Sequence, residues 1–367
     1  MHNTTLPSSP DRGEGSRVGV RTTPGNRVLS ALAGREPDRV PIFDIYSVEH
    51  TSASMETLPR TTFESAICLL SADLTPRYPV QVLEEDGETT VQTTPYGGVC
   101  RVAADRAAPP EIVDYPVKSR PDWGFLARRL EVAPDRADWV ALGPAQERAR
   151  AAGLCVALAA PVGFALCSAY SGARKVADLM GADPGLVREM ADAHASLLTG
   201  MADLLLAGGC ELDVLFLFDN VADRRGLLVP PERYRKIFAP AGRNLADFFH
   251  DRGLKVIFYS GGDLRLLIPD LLETGLDCLG PLEVAAGMDL RILKLNYGAD
   301  LAFLGGIDRR ALHNPDGAIL EREVAAKVSV GMVNGRYIAG FDGELPASMP
   351  AEQYARAIEL LEKHGKY

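Results

Sequence analysis

Apolar residues along this chain follow two alternating patterns. Short continuous apolar runs, which are typical of buried strands, alternate with longer stretches in which apolar residues recur every three or four positions, as in amphipathic helices. From residue 153 onward the alternation is regular, and it predicts strands at residues 154–160, 212–219, 256–258, 276–280, 301–308 and 336–342. It predicts helices at residues 171–180, 184–207, 231–252, 264–274, 289–297, 316–332 and 350–364.

The amino-terminal half shows the same patterns less regularly. Residues 81–102 alternate between polar and apolar and contain two turn signals, which predicts a β-hairpin excursion. The interval 66–80 is a candidate strand, although part of it also fits a helix. The other elements predicted in this half are helices at 26–34, 63–71 and 121–150 and a strand at 39–44.

Strict alternation of strands and helices predicts a parallel sheet. Seven strand candidates and the uncertain one near 66–80 fit an eightfold α/β barrel, so we predict a (β/α)8 or TIM barrel. A doubly wound open sheet is the alternative. It is less favoured, because no Gly-x-Gly-x-x-Gly sequence follows an early strand and no phosphate-binding loop of the Walker type is present.

Composition narrows the class of protein further. The chain has 367 residues and a formal net charge of −10, which argues against the basic face that nucleic-acid binding requires. Its six cysteines form no C-x-x-C pair, and we expect them to be reduced, as in a cytoplasmic protein. No secretory signal and no apolar run of membrane-spanning length are found. Residues 1–25 are predicted to be a disordered tail, and residues 26–367 to form one domain.

The stretch 254–263 joins a short apolar strand to a predicted helix through a polar turn. The turn contains Gly261 and Gly262, which would allow the backbone to approach a ligand closely. Asp263 is predicted to cap the helix that follows. In α/β proteins such turns carry the ligand-binding groups, so we predict that Tyr259 and Ser260 face a ligand.

Several predicted strands end in an acidic residue, and in a barrel these ends meet at one mouth. Asp219 and Asn220 follow a fully apolar strand, so we expect them at the floor of a cleft. Asp219, Tyr259 and Asp342 are the predicted catalytic residues, with the carboxylates as acid–base or charge-stabilising groups. The predicted substrate-binding residues are Asp44, Tyr46, His50, Asn220, Ser260, Glu283 and Asp308.

Two other interpretations of these acids stay open. Asp308 and Asp342 are also candidates for capping helices or orienting loops. No cluster of His and Cys has the spacing of a zinc site, and no metal site is predicted. Oxygen ligands from several acids would nevertheless suit a hard cation such as Mg²⁺ or Mn²⁺.

Several stretches of the chain resemble the uroporphyrinogen decarboxylase superfamily. They are residues 34–41, 219–240, 256–277, 286–294, 305–308 and 365–367. The resemblance covers about residues 26–367, and it implies a (β/α)8 barrel. Members include tetrapyrrole decarboxylases and zinc-dependent methyltransferases that move a methyl group between a corrinoid and a thiol. Homodimers are common among them, so the resemblance also suggests a homodimer.

The chain departs from both kinds of relative at the expected site. Where the methyltransferases carry His-x-Cys-Gly, Tyr259 replaces the His and Gly261 replaces the Cys, and Asp342 falls at or near their third ligand. The resemblance therefore implies that the zinc–thiol site is lost. The decarboxylases carry an Arg-rich stretch after the first strand, where this chain has acidic and aromatic residues from Asp44 to His50. Guanidinium groups are what binding several carboxylates requires, so tetrapyrrole decarboxylation is not expected.

These observations leave two classes of function open. The first is a barrel enzyme that acts on a small polar substrate, with methyl transfer or demethylation favoured and a corrinoid protein as a possible partner. Decarboxylation of a tetrapyrrole or another carboxylate is the alternative reaction. The second class is a ligand-binding barrel without catalysis. No cofactor of the chain itself is predicted.

Overall fold

The computed structural model describes residues 22–44, 65–104, 110–314, 316–345 and 349–367, and the structural statements below refer to these residues. Its helices are α1 (Pro24–Leu32), α2 (Arg120–Ala127), α3 (Trp139–Ala151), α4 (Gly163–Ser171), α5 (Ala173–Ala182), α6 (Pro184–Ala207), α7 (Pro231–Ile237), α8 (Ala239–His250), α9 (Ile268–Glu273), α10 (Leu290–Tyr297), α11 (Gly317–Met332) and α12 (Ala351–His364). Its strands are β1 (Ile67–Leu70), β2 (Val82–Glu85), β3 (Thr89–Thr93), β4 (Val99–Ala103), β5 (Glu111–Asp114), β6 (Cys155–Pro161), β7 (Val214–Phe218), β8 (Ala222–Asp223), β9 (Gly226–Leu227), β10 (Lys255–Tyr259), β11 (Cys278–Gly280), β12 (Ala302–Leu304) and β13 (Tyr337–Ile338).

A parallel sheet curls around the centre of the molecule. Seven strands pair in the order β1-β6-β7-β10-β11-β12-β13. The segment around Ile42 closes the sheet, because Ile42 bridges in parallel to Ser65 on one side and to Ala339 on the other. Main-chain N–H groups of Phe43 and Ala66 donate across these two seams, each at 2.8 Å. The predicted (β/α)8 barrel is therefore confirmed.

Alternate positions on the strands face opposite sides of the barrel wall, as the two-residue period of a strand requires. One apolar cluster fills the interior and includes Phe43, Ala157, Val214, Phe216, Ile257, Cys278, Ala302, Leu304 and Ile338. Helix α1 closes the amino-terminal end of the barrel with Val28, Ala31 and Leu32. The intervening positions, such as Leu215, Leu217 and Phe258, pack outward against the helices.

An antiparallel sheet forms the excursion between β1 and β6. Four strands pair in the order β2-β3-β4-β5. A β excursion is thus present at 81–102 as predicted, but it has three strands where a hairpin has two, and β5 adds a fourth. All four residues of β2 and all four of β5 are exposed, as expected for the two edges of a projecting sheet.

Four predicted elements were wrong in part. The described part of 63–71 is not helical, because residues 67–70 form β1 and pair with β6; a short run such as Ile-Cys-Leu-Leu fits either structure. Residues 121–150 form two helices separated by an irregular segment that contains Pro134. Residues 231–252 also form two helices, since Pro240 cannot donate within a continuing helix.

The fourth correction concerns Asp263, which does not cap a helix. Helix α9 begins at Ile268, with Leu267 at the capping position. The Asp263 carboxylate instead accepts from the main-chain N–H and the guanidinium of Arg265.

No helix among the described residues combines the length and apolarity needed to cross a membrane. All six cysteines are free thiols, and only Cys68 and Cys210 are partly exposed.

Candidate active site at the carboxyl-terminal mouth of the barrel

Tyr259 ends β10 on the inward side of the wall. Its ring lies 5.7 Å from the ring of Phe218 and 5.7 Å from that of Phe216, so an aromatic floor closes the interior. Within the described ranges its hydroxyl makes no hydrogen bond. Burial raises the pKa of Tyr259, the negative charges of Glu344, Asp44 and Asp342 raise it further, and Arg309 opposes them. The phenol therefore keeps its proton at neutral pH and lies among charged groups from separate loops.

Asp342 follows β13 and joins three loops at the mouth. Its Oδ2 accepts from the main-chain N–H of Val284, and its Oδ1 accepts from that of Arg309, both at 3.0 Å. The side chain is 3% exposed. Burial raises the pKa of Asp342, although the two amide donors and the positive charge of Arg309 act against the rise.

Arg309 is a mouth residue that the sequence analysis missed. Its Nε lies 3.9 Å from Asp342 Oδ1, and its Nη1 donates to the main-chain oxygen of Glu344 at 3.0 Å. No other polar group in the described part of the chain contacts this guanidinium, so several of its donors are free. The available signal was its position directly after the strand-end residue Asp308.

Asp219 lies beyond β7 and binds the start of α4. Its carboxylate accepts from the main-chain N–H groups of Phe164, Ala165 and Asn220, at 3.2, 2.7 and 2.8 Å. A side chain at Gly163 would have its Cβ 2.0 Å from Asp219 Oδ2, so a glycine is required there. Burial raises the pKa of Asp219 to about 7, and the three amide donors counteract only part of that rise.

Glu283 holds the glycine turn after β10. Its Oε2 accepts from the N–H of Gly262 at 2.9 Å, and its Oε1 accepts from Arg224 Nε at 2.5 Å. These hydrogen bonds and the positive charge of Arg224 outweigh burial and lower the pKa of Glu283. Gly262 has a φ of +85°, and a Cβ there would lie 2.5 Å from the carbonyl carbon of Ala222. Gly262 was predicted to let the backbone approach a ligand, but the close contact it allows is with the chain's own backbone at Ala222.

The other predicted substrate-binding residues differ in their burial and in their hydrogen-bond partners. Asp308 forms two hydrogen bonds of 2.8 and 2.7 Å with the guanidinium of Arg310. Asp44 accepts from the hydroxyl of Tyr354 on α12, and burial raises its pKa to about 6. Ser260 is 1% exposed and contacts the backbone of neighbouring residues. Asn220 is exposed, and the predicted residues Tyr46 and His50 lie outside the described residues.

Arginines from two loops thus join the acids at the mouth. Arg224 follows β7, and Arg309 and Arg310 follow β12. The positive charge of Arg310 and the negative charges of Glu283 and Asp342 all influence the pKa of Arg224, which is raised mainly by its hydrogen bond to Glu283. The strand-end acids therefore do not make a uniformly negative mouth, because arginine or main-chain N–H groups already bind most of them.

One solved structure is similar to this chain over almost its whole length. A methyltransferase from Methanosarcina mazei has a similar structure, with 12% identity and a TM-score of 0.64 over 94% of this chain and 99% of that one. A 3-keto-D-glucoside 4-epimerase from E. coli is 12% identical, with a TM-score of 0.35 over 60% of this chain and 84% of its own. No curated protein sequence matches the chain.

The family comparison covers more than half of the chain. Residues 144–364 match the family described as uroporphyrinogen decarboxylase (URO-D). The match begins within α3 and includes the mouth residues that follow β7, β10, β11, β12 and β13. The chain therefore belongs to the uroporphyrinogen decarboxylase (URO-D) family.

Proposed function

We propose that this chain is an enzyme of the URO-D superfamily that removes a methyl group from a small polar substrate at the barrel mouth. A corrinoid protein would accept the methyl group. The observation that carries the proposal is the hydroxyl of Tyr259, which has no hydrogen-bond partner within the described ranges and lies on the inner side of the wall among Asp342, Arg309 and Glu344. The similarity in fold to a methyltransferase from Methanosarcina mazei supports the choice of reaction.

The chain's own residues have two tasks in such a reaction. When a methyl group leaves an ether oxygen, the electron pair of the broken C–O bond stays on the oxygen, which then needs a proton; a methylated ammonium instead leaves as the neutral amine and needs none. Tyr259, which keeps its proton, would donate a hydrogen bond and then a proton to that oxygen. The N–H groups of Arg309 that have no partner among the described residues would hold an anionic group of the substrate. The corrinoid, when its protein is bound, supplies the nucleophile that takes the methyl group.

The donor set at the mouth does not fit the zinc site of the thiol methyltransferases. Such a site needs thiolate or imidazole ligands. Tyr259 keeps its proton, Gly261 has no side chain, and both oxygens of Asp342 accept main-chain N–H groups. Among the described residues no three His, Cys, Asp or Glu side chains are arranged to hold a metal. We therefore propose methyl transfer without a zinc-activated thiol.

Decarboxylation is the second candidate, and the arginines favour it. Arg309 has free donors, and Arg224 and Arg310 line the same mouth, with their side chains 61% and 66% exposed. Guanidinium groups bind carboxylates in a bidentate manner. The bond from the carboxylate to its carbon would break with release of CO₂, and the carbon would take a proton in its place.

One experiment compares the two reactions. The full chain is incubated with cob(I)alamin as a soluble methyl acceptor and with a panel of methoxylated carboxylates and methylated amines. Methylcobalamin is measured by absorbance and chromatography, and released CO₂ is measured in parallel. We expect methylcobalamin without CO₂, and CO₂ without methylcobalamin would replace the proposal with the second candidate. Stabilisation by a panel member without either product would indicate a ligand-binding barrel.

A variant links the reaction to the site. Tyr259→Phe removes the hydroxyl and keeps the ring, so we expect turnover to fall by about 10²- to 10⁴-fold with little change in stability. Tyr297→Phe, on α10 and away from the mouth, is the matched control and should keep its activity. Equal turnover of the two variants would contradict the role of Tyr259. The cytoplasmic location, the homodimer and the corrinoid partner stay predictions.

A further inference from the structure

A second groove lies on the amino-terminal side of the barrel, opposite the mouth. It runs between α10 and α11 and reaches the turn before β13, with a volume of about 660 Å³. We call it the α10–α11 groove. The residues that matter for its chemistry are Arg291, Lys294, Leu295, Val330, Val333 and Arg336.

Two of the three cations in the α10–α11 groove, Lys294 and Arg336, have no carboxylate partner among the described residues, whereas Arg291 pairs with Asp289 at 3.4 Å. Lys294 Nζ donates to the main-chain oxygen of Gly335, and Arg336 Nη1 donates to that of Asp300 at 3.4 Å. Neither cation forms an ion pair within the described ranges, and no acidic side chain lines the groove there. Burial, together with the positive charge of Arg336, lowers the pKa of Lys294 to about 8. Two neighbouring cations therefore repel each other without a counter-ion, in a protein whose net charge is −10.

The local backbone brings these cations together. Asn334 and Arg336 have φ values of 58° and 57°, a region that residues other than glycine rarely adopt. In this conformation the Arg336 guanidinium lies against Gly34, where the Cβ of any other residue would be 2.7 Å from Nη2. The turn thus holds Arg336 at the edge of the groove near Lys294.

Exposed apolar side chains lie beside the cations. Leu295 on α10 is 85% exposed, and Val333, directly after α11, is 58% exposed. Both line the groove. Exposed apolar side chains that line a groove beside polar groups are typical of a ligand-binding surface, because a bound apolar group removes them from water. A ligand with an anionic group and an apolar body would complement both features.

We propose that the α10–α11 groove binds a small organic anion, a carboxylate or a phosphate monoester with a short apolar chain. Lys294 and Arg336 bind its anionic group, and Leu295 and Val333 contact its apolar part. The groove lies at the opposite end of the barrel from Tyr259, so this site is separate from the proposed active site and does not depend on the proposed reaction.

The test uses the full chain and four probes: hexanoate, hexyl phosphate, acetate and hexanol. Thermal unfolding and isothermal titration calorimetry measure binding of each. We expect hexanoate or hexyl phosphate to raise the unfolding temperature with concentration up to about 10 mM, and the preferred one identifies the anionic group. Acetate and hexanol, which each lack one of the two features, should bind at least about tenfold more weakly. Equal stabilisation by hexanol, or none by either hexyl anion, would overturn the proposal.

Variants locate the binding. Lys294→Gln and Arg336→Gln should each weaken binding of the preferred anion by about tenfold or more. Leu295→Glu changes an exposed side chain, so the fold is kept even if the cation variants are unstable, and it should abolish binding by repulsion. Val140→Glu, on α3 and 86% exposed, is the matched control and should bind as the original chain does. Unchanged binding by Leu295→Glu would contradict the site.

Discussion

Asp219→Asn separates the electrostatic cost of a buried carboxylate from its hydrogen bonds. The Asp219 side chain is buried and accepts from three main-chain N–H groups, two of them in the first turn of α4. An asparagine keeps one accepting oxygen, but its NH₂ group would face the N–H of Phe164 or Ala165. At acidic pH, where both side chains are neutral, we expect the variant to be less stable by about 1–3 kcal/mol, the usual cost of an unsatisfied buried donor.

The difference should change with pH in a known direction. The pKa of Asp219 is raised from 3.8 to about 7 in the folded chain. Between pH 3.8 and about pH 7 the folded chain keeps the proton of Asp219, whereas the unfolded chain loses it. The contribution of Asp219 to the free energy of unfolding is therefore complete below pH 3.8 and is lost as the pH rises through about 7. The total change is about 4 kcal/mol, at about 1.4 kcal/mol for each pH unit. The asparagine variant has no such dependence, so it should equal or exceed the original chain in stability at neutral pH.

Urea unfolding of both proteins from pH 4 to pH 8 measures this difference, since all other titrating groups are common to the two. Asp178→Asn, an exposed carboxylate on α5, controls for the loss of one surface charge. A difference between Asp219→Asn and the original chain that stays constant with pH would refute the reasoning. Turnover of the folded variant tests the predicted catalytic role: a loss of about 10²-fold or more would support it.

Two further predictions concern the elements that support the mouth. Gly262→Ala should lower the free energy of unfolding by more than about 2 kcal/mol, because a Cβ would collide with the backbone of Ala222 at a φ of +85°; chemical denaturation measures it. Arg136→Gln should cost about 3–5 kcal/mol, because the buried guanidinium donates to the main-chain oxygens of Asp73, Thr75, Arg129 and Glu131. Thermal unfolding should show that loss, whereas an unchanged midpoint in either variant would contradict the corresponding prediction.

The sequence predicted the six barrel strands from residue 154 onward because each contains a buried apolar run, but it did not predict the short pair β8 and β9. The strand Ile67–Leu70 could not be told from a helix, since a run of four apolar residues fits the period of either structure. Only its pairing with β6 shows that it is a strand. The helix breaks near Pro134 and Pro240 carried a local signal that the helical spacing outweighed. Arg224 and Arg309 were missed because their position depends on how loops fold back over the mouth, which periodicity does not encode.

The strand-end residues also show how a single step along a strand decides what a side chain can do. Leu215 and Leu217 face the helices, so Asp219 continues the outward side and reaches α4. Ile338 faces the interior and Phe341 the helices, so Asp342 continues the inward side, as Tyr259 does after Ile257. The outward carboxylate of Asp219 holds the start of α4 against the wall, whereas the inward carboxylate of Asp342 holds the loops of Val284 and Arg309 at the mouth. The two-residue period of the strands thus puts Tyr259 and Asp342 on the inner side of the wall, where we propose that they meet substrate, and it explains why the acids that follow β7 and β13 hold different elements.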